Sequence, residues 1–350
     1  HRSGEQSGLK RRRERQPRPL APEVPIVRPP GSPPDAVVLQ FLVPPELAGL
    51  RLDRFVQVRM PRLSRTRAQA IVRASAYRAD GERRRPADIV RGGEIVILVR
   101  DRFAEPITPL HFDVLHEDDA IMVIDKPAGL PMHPTATYHK HTLSYLLGER
   151  YGIDGAFVPR IAHRLDRETS GAVLCGKTLD AERILKRSFE RHLVEKSYLA
   201  IVRGELNEDG GEIDLSIASV KEGLHVLMEV RSDGLTALTR YEVKERIAGY
   251  SLLALYPRSG RQHQLRVHLA AIGHPIVGDK LYGPEREAPF LEYIETGMTA
   301  ELEARLGHDR QALHAHTLSF MHPVRHDTFA IAAPFATDLQ TLWSRLRGAC

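Results

Sequence analysis

The order of apolar and polar residues predicts a strand-rich fold from about residue 111 onward. Short runs of aliphatic and β-branched residues bounded by glycine, proline or charged residues are typical of strands. These runs predict strands at 120–124, 171–175, 198–202, 238–243, 252–256 and 313–320. Helical spacing between the runs predicts helices at 179–192, after Gln264, and at a C-terminal face of Leu339, Leu342, Trp343 and Leu346.

The predicted strands outnumber the predicted helices and do not alternate with them regularly. This order indicates an α+β fold with a mixed, mainly antiparallel sheet rather than a parallel βαβ fold. A glutamate-rich stretch after Gly283 has apolar residues at helical intervals, which predicts a helical insertion.

A different pattern occupies residues 46–100, where helical spacing comes first and a strand at 94–99 comes last. Ser64 is a candidate N-cap for the second helix. On that helix, polar residues four apart form one face and small or aliphatic residues form another: Arg65, Gln69 and Arg73 against Ala68, Ile71 and Val72. The pattern predicts a small α/β module in which one face of this helix packs against the core. The polar face either contacts phosphate or is a solvated charged surface.

Residues 1–40 combine the basic run Lys10–Arg13 with many prolines. Such a segment buries too little apolar surface to offset its ordering entropy, so we expect a disordered basic tail. Ordering on RNA, a solubilising linker and an organelle transit peptide are the alternatives. The formal net charge of the 350-residue chain is +5, which favours a polyanionic partner.

Composition also excludes several classes of protein. No apolar run approaches the ~20 residues of a membrane span, so a cytoplasmic protein is expected. The two cysteines, Cys175 and Cys350, lie far apart, which argues against a disulfide framework. No Walker A or G-x-G-x-x-G sequence indicates a nucleotide cofactor, and the 17 histidines lack metal-site spacing, so neither cofactor nor metal is expected.

Five separated segments share one family's signature: "HEDDAIMVIDKPAGLPMHP", "HRLDRETSG", "EKSYLAIVRG", "GRQHQLRVHLAAIGHPIVGDKLYG" and "RQALHAHTLSFMHP". In this order they resemble the RluA family of pseudouridine synthases over most of residues 111–335. The resemblance implies a catalytic domain at 108–350, a central cleft for RNA, and isomerisation of uridine to pseudouridine. The module at 46–100 resembles the S4 RNA-binding domain, although residues 74–81 depart from the glycine motif usual there.

The chemistry requires an ionised carboxylate in a pocket dry enough to retain a detached uracil. Whether the carboxylate attacks the nucleoside or removes a sugar proton, a cationic partner must keep it charged. The resemblance implies that Asp166 is this carboxylate and Arg266 its partner, in a directed, bidentate pair. A phosphate contact is the alternative for Arg266. The resemblance also implies that Tyr198 lies against the target base, with a core tyrosine as the alternative.

A uridine in structured RNA must leave its stack before it can react. The resemblance implies that Arg164 enters the RNA at the flipped base and that Leu265 packs against the uracil. Arg65 and Arg73 of the S4-like module are further candidate RNA contacts. Arg167 is interpreted as a phosphate or structural contact.

Three alternatives remain at this level. A glycosidase would need paired carboxylates, and Asp118 and Asp119 or Asp279 could be proposed for the second, but no spacing supports them. A non-catalytic S4-type RNA-binding protein is the second alternative. Transfer RNA instead of large-subunit ribosomal RNA is the third. The resemblance to the synthase family implies a monomer.

Overall fold

A computed structural model describes residues 28–32, 36–60, 63–78, 80–100, 105–135, 137–153, 157–221, 223–224 and 226–348. The chain divides between residues 104 and 105 into two compact units. No helix in the described part of the chain is both long and apolar enough to cross a membrane.

The N-terminal unit has two helices and a three-stranded sheet in the order β1-β3-β2. Its elements are β1 (Val37–Leu42), a short 3₁₀ turn (Pro45–Leu47), α1 (Leu52–Arg59), α2 (Arg65–Ser75), β2 (Ala76–Tyr77) and β3 (Ile95–Arg100). The Ser64 Oγ accepts a hydrogen bond from the Arg67 N–H at 3.3 Å, which confirms the predicted N-cap of α2. Ala68 and Val72 of α2 are buried in a core that also contains Phe55 and Leu98.

Two predictions for this unit need correction. The disordered tail predicted at 1–40 is wrong for residues 37–40, because β1 begins at Val37 and pairs antiparallel with β3 along its whole length. Residues 1–27 lie outside the described residues. Gln69 is not wholly available to a phosphate, since one N–H of its side-chain amide donates to Asp53 at 3.0 Å.

The C-terminal unit contains the remaining elements, in chain order. The first half has β4 (Asp113–Glu117), β5 (Ile121–Lys126), α3 (Leu143–Tyr151), β6 (Arg160–Ile161), β7 (Ser170–Gly176), α4 (Leu179–Glu190), β8 (Glu195–Arg203), β9 (Gly210–Asp214), β10 (Ile217–Ser219) and β11 (Met228–Val230). The second half has β12 (Leu238–Ile247), β13 (Tyr250–Pro257), α5 (Gln264–Ala271), α6 (Ala288–Thr296), α7 (Ala300–Leu306), β14 (Leu313–Met321), β15 (Thr328–Ala332) and α8 (Thr337–Gly348).

A ten-stranded sheet runs through this unit in the order β4-β5-β7-β14-β8-β13-β12-β9, with β6 beside β7 and β15 beside β14. Among the described strands of this sheet, β7 and β14 form the one parallel pair, with His314 opposite Ser170 and Ala315 opposite Gly171. The prediction of a mixed, mainly antiparallel α+β sheet is confirmed.

Strands β5 and β7 are buried on both faces, which explains their unbroken apolar sequence. Met122 and Ile124 pack on the side of α3, against Leu143 and Leu147. The alternate residues of β5, Ile121 and Val123, pack on the side of α4 with Ala181 and Leu185. Helices α5 and α8 cover the middle of the sheet in a third cluster that includes Leu265, Leu269 and Trp343.

The predicted long strands and helices are present, and the insertion after Gly283 forms α6 and α7. The shorter strands β4, β6, β9, β10, β11 and β15 and the helix α3 were missed. Strand β9, with the sequence Gly-Gly-Glu-Ile-Asp, buries only Ile213, so its local sequence carries no strand signal. Backbone pairing with β12 holds it in the sheet.

Candidate active site

Asp166 lies in the loop between β6 and β7 and lines a cavity of about 600 Å³. Its side chain is 21% exposed, so it faces the cavity without being open to bulk solvent. Tyr198, Leu265, Arg266 and Arg164 line the same cavity. The tertiary structure therefore brings together the residues predicted for the catalytic domain, which come from three segments far apart in sequence.

Arg266 lies between two carboxylates. Its Nη1 donates to Asp166 Oδ2 at 3.0 Å, across 100 residues of sequence. Its Nε and Nη2 donate to the two oxygens of Asp279 at 2.6 and 2.8 Å. The predicted bidentate pair with Asp166 is therefore wrong in its geometry, because the fork of the guanidinium is occupied by Asp279 and only one nitrogen reaches Asp166.

Asp279 is a positioning residue that the sequence did not reveal. Its carboxylate is fully buried, and its Oδ1 also accepts hydrogen bonds from the backbone N–H groups of Leu281 and Tyr282. The Tyr282 ring lies 5.0 Å from the Arg266 guanidinium carbon and completes its surroundings. These contacts fix the direction in which the guanidinium points.

The electrostatic surroundings favour an ionised Asp166. Burial raises the pKa of its carboxyl, but Arg266, His263 and hydrogen bonds from Arg266 and Gln311 outweigh burial and hold the pKa below the ordinary value of 3.8. Burial acts against the charge of Arg266 as well, and Asp279 and Asp166 raise the pKa of its guanidinium above the ordinary range. The pair is charged at neutral pH.

Tyr198 lies on β8 between two hydrophobic clusters and also lines the cavity. Burial, followed by the charge of Asp166, raises the pKa of its phenol above the ordinary value. The hydroxyl therefore keeps its proton at neutral pH. It can stack on a planar ligand and donate or accept a hydrogen bond.

His263 starts α5 in a left-handed conformation, with φ of 53°. Its ring lines the cavity, where Nε2 lies 3.8 Å from Asp166 Oδ2 and Nδ1 lies 2.7 Å from the Tyr282 hydroxyl. Burial, with Arg266 second, lowers the pKa of His263 to about 4, so the ring is neutral at pH 7. His263 therefore lies between the Asp166 carboxylate, which it approaches without a hydrogen bond, and the Tyr282 hydroxyl, to which it is hydrogen-bonded.

Buried polar groups hold the Asp166 loop from several directions. Lys126 donates from its ammonium to the carbonyl oxygens of Pro127, Leu130 and Arg167. Arg310 donates to the Glu168 carbonyl and the Ser170 hydroxyl, and Gln311 donates to the Thr169 hydroxyl. All three donors lie within the sequence blocks quoted above, but no local pattern distinguished them from core or surface residues.

His163 attaches the loop to α4 and β7. Its Nε2 accepts the backbone N–H of Leu174 at 3.0 Å, and its ring stacks on Phe189 at 4.4 Å between centroids. Burial lowers the pKa of His163 to about 3, which leaves the ring neutral and able to accept this hydrogen bond.

The two arginines that flank Asp166 have different surroundings. Arg164 is exposed and lines the cavity. Arg167 donates to the Tyr138 hydroxyl at 2.5 Å and pairs with Glu168, so its contacts are structural. Arg65 and Arg73 belong to the N-terminal unit, where both are exposed on α2.

No cluster of three or more potential metal ligands occurs among the residues described by the structure. Of the carboxylates considered for a second catalytic acid, Asp279 is bound to Arg266 and Asp118 is bonded to His116 and His322. The cavity therefore places Asp166 beside a fixed cation, an aromatic hydroxyl and a neutral imidazole.

The chain is similar to known proteins in sequence and in fold. Residues 120–271 match the family model described as RNA pseudouridylate synthase. "Ribosomal large subunit pseudouridine synthase D" of Xanthomonas campestris pv. campestris is 40% identical over 323 residues, covering 90% of this chain and 95% of that protein. The protein of the same name from Xylella fastidiosa is 38% identical over 316 residues, covering 88% of this chain and 92% of that protein.

A solved structure has the same fold. "Human RNA Pseudouridylate Synthase Domain Containing 4" superposes with a TM-score of 0.53 and 26% identity, covering 67% of this chain and 92% of that one. The sequence similarity extends over nearly the whole length of both proteins in the bacterial comparisons. This chain therefore belongs to the RNA pseudouridylate synthase family.

Proposed function

We propose that this protein converts uridines of large-subunit ribosomal RNA to pseudouridine, with Asp166 as the catalytic carboxylate. The observation that carries the proposal is the Asp166 carboxylate in a cavity of about 600 Å³, bound by Arg266 Nη1 at 3.0 Å. The names of the bacterial relatives support ribosomal RNA as the substrate.

The reaction is an isomerisation in which atoms and electrons balance within the substrate. The N1–C1′ bond breaks, the uracil turns in the cavity, and C5 bonds to C1′. The proton on C5 is lost, and N1 gains a proton. Attack by a carboxylate and removal of a sugar proton both require Asp166 to be ionised, and Arg266 provides for this.

The other cavity residues have roles that follow from their chemistry. Tyr198 stacks on the detached uracil, and its protonated hydroxyl is a hydrogen-bond donor or acceptor for the base. Leu265 packs against the uracil from α5. Arg164, exposed at the cavity, fills the gap that the flipped nucleotide leaves in the RNA.

The proposal extends to the N-terminal unit as an S4-like RNA-binding module. Its two helices, final strand and exposed Arg65 and Arg73 support this assignment. The protein is further proposed to act as a cytoplasmic monomer. Sedimentation and cell fractionation test these two points.

A tritium-release assay on ribosomal RNA transcripts labelled with [5-³H]uridine tests the proposed reaction. The wild-type protein should release tritium, and Asp166→Asn should lower the rate by about a hundredfold to ten-thousandfold while RNA binding persists. Asp180→Asn, which changes an exposed carboxylate on α4, is the control and should leave the rate unchanged.

Three outcomes would contradict parts of the proposal. Comparable rates in wild type and Asp166→Asn would remove Asp166 from the mechanism. Binding without release by the wild type would indicate a non-catalytic RNA-binding protein. Release from labelled transfer RNA but not from ribosomal RNA would reassign the substrate.

A further inference from the structure

Lys196 is a cation in the cavity wall without a carboxylate partner. It lies on β8 and is only partly exposed. Its Nζ donates to the Ser259 carbonyl at 3.3 Å, which uses one of three N–H groups. No aspartate or glutamate among the described residues forms an ion pair with it.

Other lysines with low exposure in the same unit have more local partners than Lys196. Their partners are three backbone carbonyls around Lys126, Glu117 at 2.8 Å from Lys177, and Glu168 at 2.9 Å from Lys280. Burial lowers the pKa of Lys196, and no charged neighbour among the described residues offsets that effect. An ammonium in this position is favourable when an anion enters the cavity.

The two carboxylates that line the cavity in the described part of the chain do not supply this anion. Asp166 is paired with Arg266, and Glu190 is exposed and forms no ion pair with Lys196. A ligand that enters the cavity can therefore supply the negative charge. We propose that Lys196 binds a backbone phosphate of the RNA at the nucleotide that enters the cavity, an inference that rests on the proposed function.

The position of Lys196 on β8 matches this role. Residues two apart on a strand project from the same face, so Lys196 and Tyr198 both reach the cavity, with Cα atoms about 7 Å apart. This separation is on the scale of one nucleotide. When the uracil stacks on Tyr198, the phosphate of the same nucleotide can lie beside Lys196. A lysine is well suited to a phosphate because it acts as a compact point charge.

Salt-dependent RNA binding tests this site apart from turnover. Binding of unmodified large-subunit ribosomal RNA transcript is measured in an Asp166→Asn background, so that no product forms. Lys196→Gln removes the charge but keeps an N–H donor for the Ser259 carbonyl. It should weaken binding about tenfold and reduce the slope of log affinity against log salt by about 0.7 to 0.9.

Two further variants sharpen the test. Lys196→Arg should restore most of the slope, because the charge returns. Lys177→Gln changes net charge equally but lies outside the cavity lining, so its slope should equal that of the background. When the phosphate at the target uridine is replaced by a neutral methylphosphonate, the protein with Lys196 should bind the transcript no more tightly than the Lys196→Gln variant does.

One result for Lys196→Gln would contradict the phosphate-binding role. An unchanged salt slope in Lys196→Gln, with a lower melting temperature, would overturn the proposal and leave Lys196 as a support for the Ser259 carbonyl. Because the slope is a binding measurement, it does not depend on tritium release. Failure of the synthase reaction with a persistent Lys196 effect would contradict the proposed function alone.

Discussion

At the residue scale, Arg266 is the centre of the site because it contacts two carboxylates at once. The two hydrogen bonds from Arg266 to Asp279 fix the plane of the guanidinium, and the remaining nitrogen, Nη1, points at Asp166. Both acids have low exposure, where an unpaired carboxylate is costly. The direction of the Arg266 guanidinium therefore depends on Asp279, which does not line the cavity.

Arg266→Met should lower the free energy of unfolding by about 3 to 5 kcal/mol, because two carboxylates lose their cation. Adding Asp279→Asn should recover part of this loss, since the asparagine oxygen can still accept from the N–H groups of Leu281 and Tyr282. Activity should remain low in both variants. Urea unfolding and tritium release measure the two effects, and equal stability of the single and double variants would contradict the argument.

The pH dependence of the double variant follows from the removal of Arg266. Burial of Asp166 is then offset less, because only His263 and Gln311 remain, so the pKa of its carboxyl should rise and the acid limb of kcat/KM should move to higher pH. In the wild type, both carboxyls have a pKa below 3.8 when folded. Their contribution to stability is therefore present above about pH 4 and is lost as the pH falls through the lowered values.

At the element scale, the parallel pairing of β7 with β14 brings the Asp166 loop beside the segment that contains Arg310 and Gln311. Gly171 makes this pairing possible. Its φ is +110°, and a Cβ there would lie 2.1 Å from the Ala315 carbonyl oxygen. A side chain at this position would force the two strands apart.

Gly171→Ala should cost several kcal/mol of stability, about 3 or more, because the backbone strain and the clash add. Gly249→Ala is the matched control, since Gly249 also has positive φ, 77°, but has no atom within 4 Å of the added Cβ. That control should cost about 1 to 2 kcal/mol. Similar losses in urea unfolding for both variants would show that the β7–β14 approach is not the cause.

At the scale of the whole molecule, the chain has two units with separate hydrophobic cores. The proposed catalytic residues all belong to the C-terminal unit, whereas Arg65 and Arg73 lie on the N-terminal unit. The proposed catalytic residues and part of the proposed RNA-binding surface therefore belong to different units.

Removal of residues 1–104 should weaken RNA binding and flatten its dependence on salt, because fewer phosphates are neutralised. The double variant Arg65→Ala and Arg73→Ala tests the same idea with the unit retained, and removing each phosphate interaction should lower the slope by about 0.7 to 0.9. Filter binding over a range of salt concentrations measures both. A slope unchanged in the truncated protein would argue against RNA binding by the N-terminal unit.

The linear sequence was enough to predict the long elements and to nominate candidate reactive groups. Strands β5 and β7 and helix α4 follow from local apolar patterns, and the N-cap of α2 follows from Ser64. Asp166, Tyr198 and Arg266 follow from motifs that resemble a known family. These features depend on residues that are close together in the sequence, so the sequence alone is enough to predict them.

Only the folded chain establishes how those groups are held. Arg266 makes its bidentate pair with Asp279 and not with Asp166. Gln311 donates to Thr169, which is 142 residues away in the sequence. Lys196 forms no ion pair with an aspartate or glutamate among the described residues. Each of these facts depends on which side chains the sheet and helices bring within hydrogen-bonding distance. No local sequence pattern predicts that distance, because it is set by packing between segments that are far apart in the sequence.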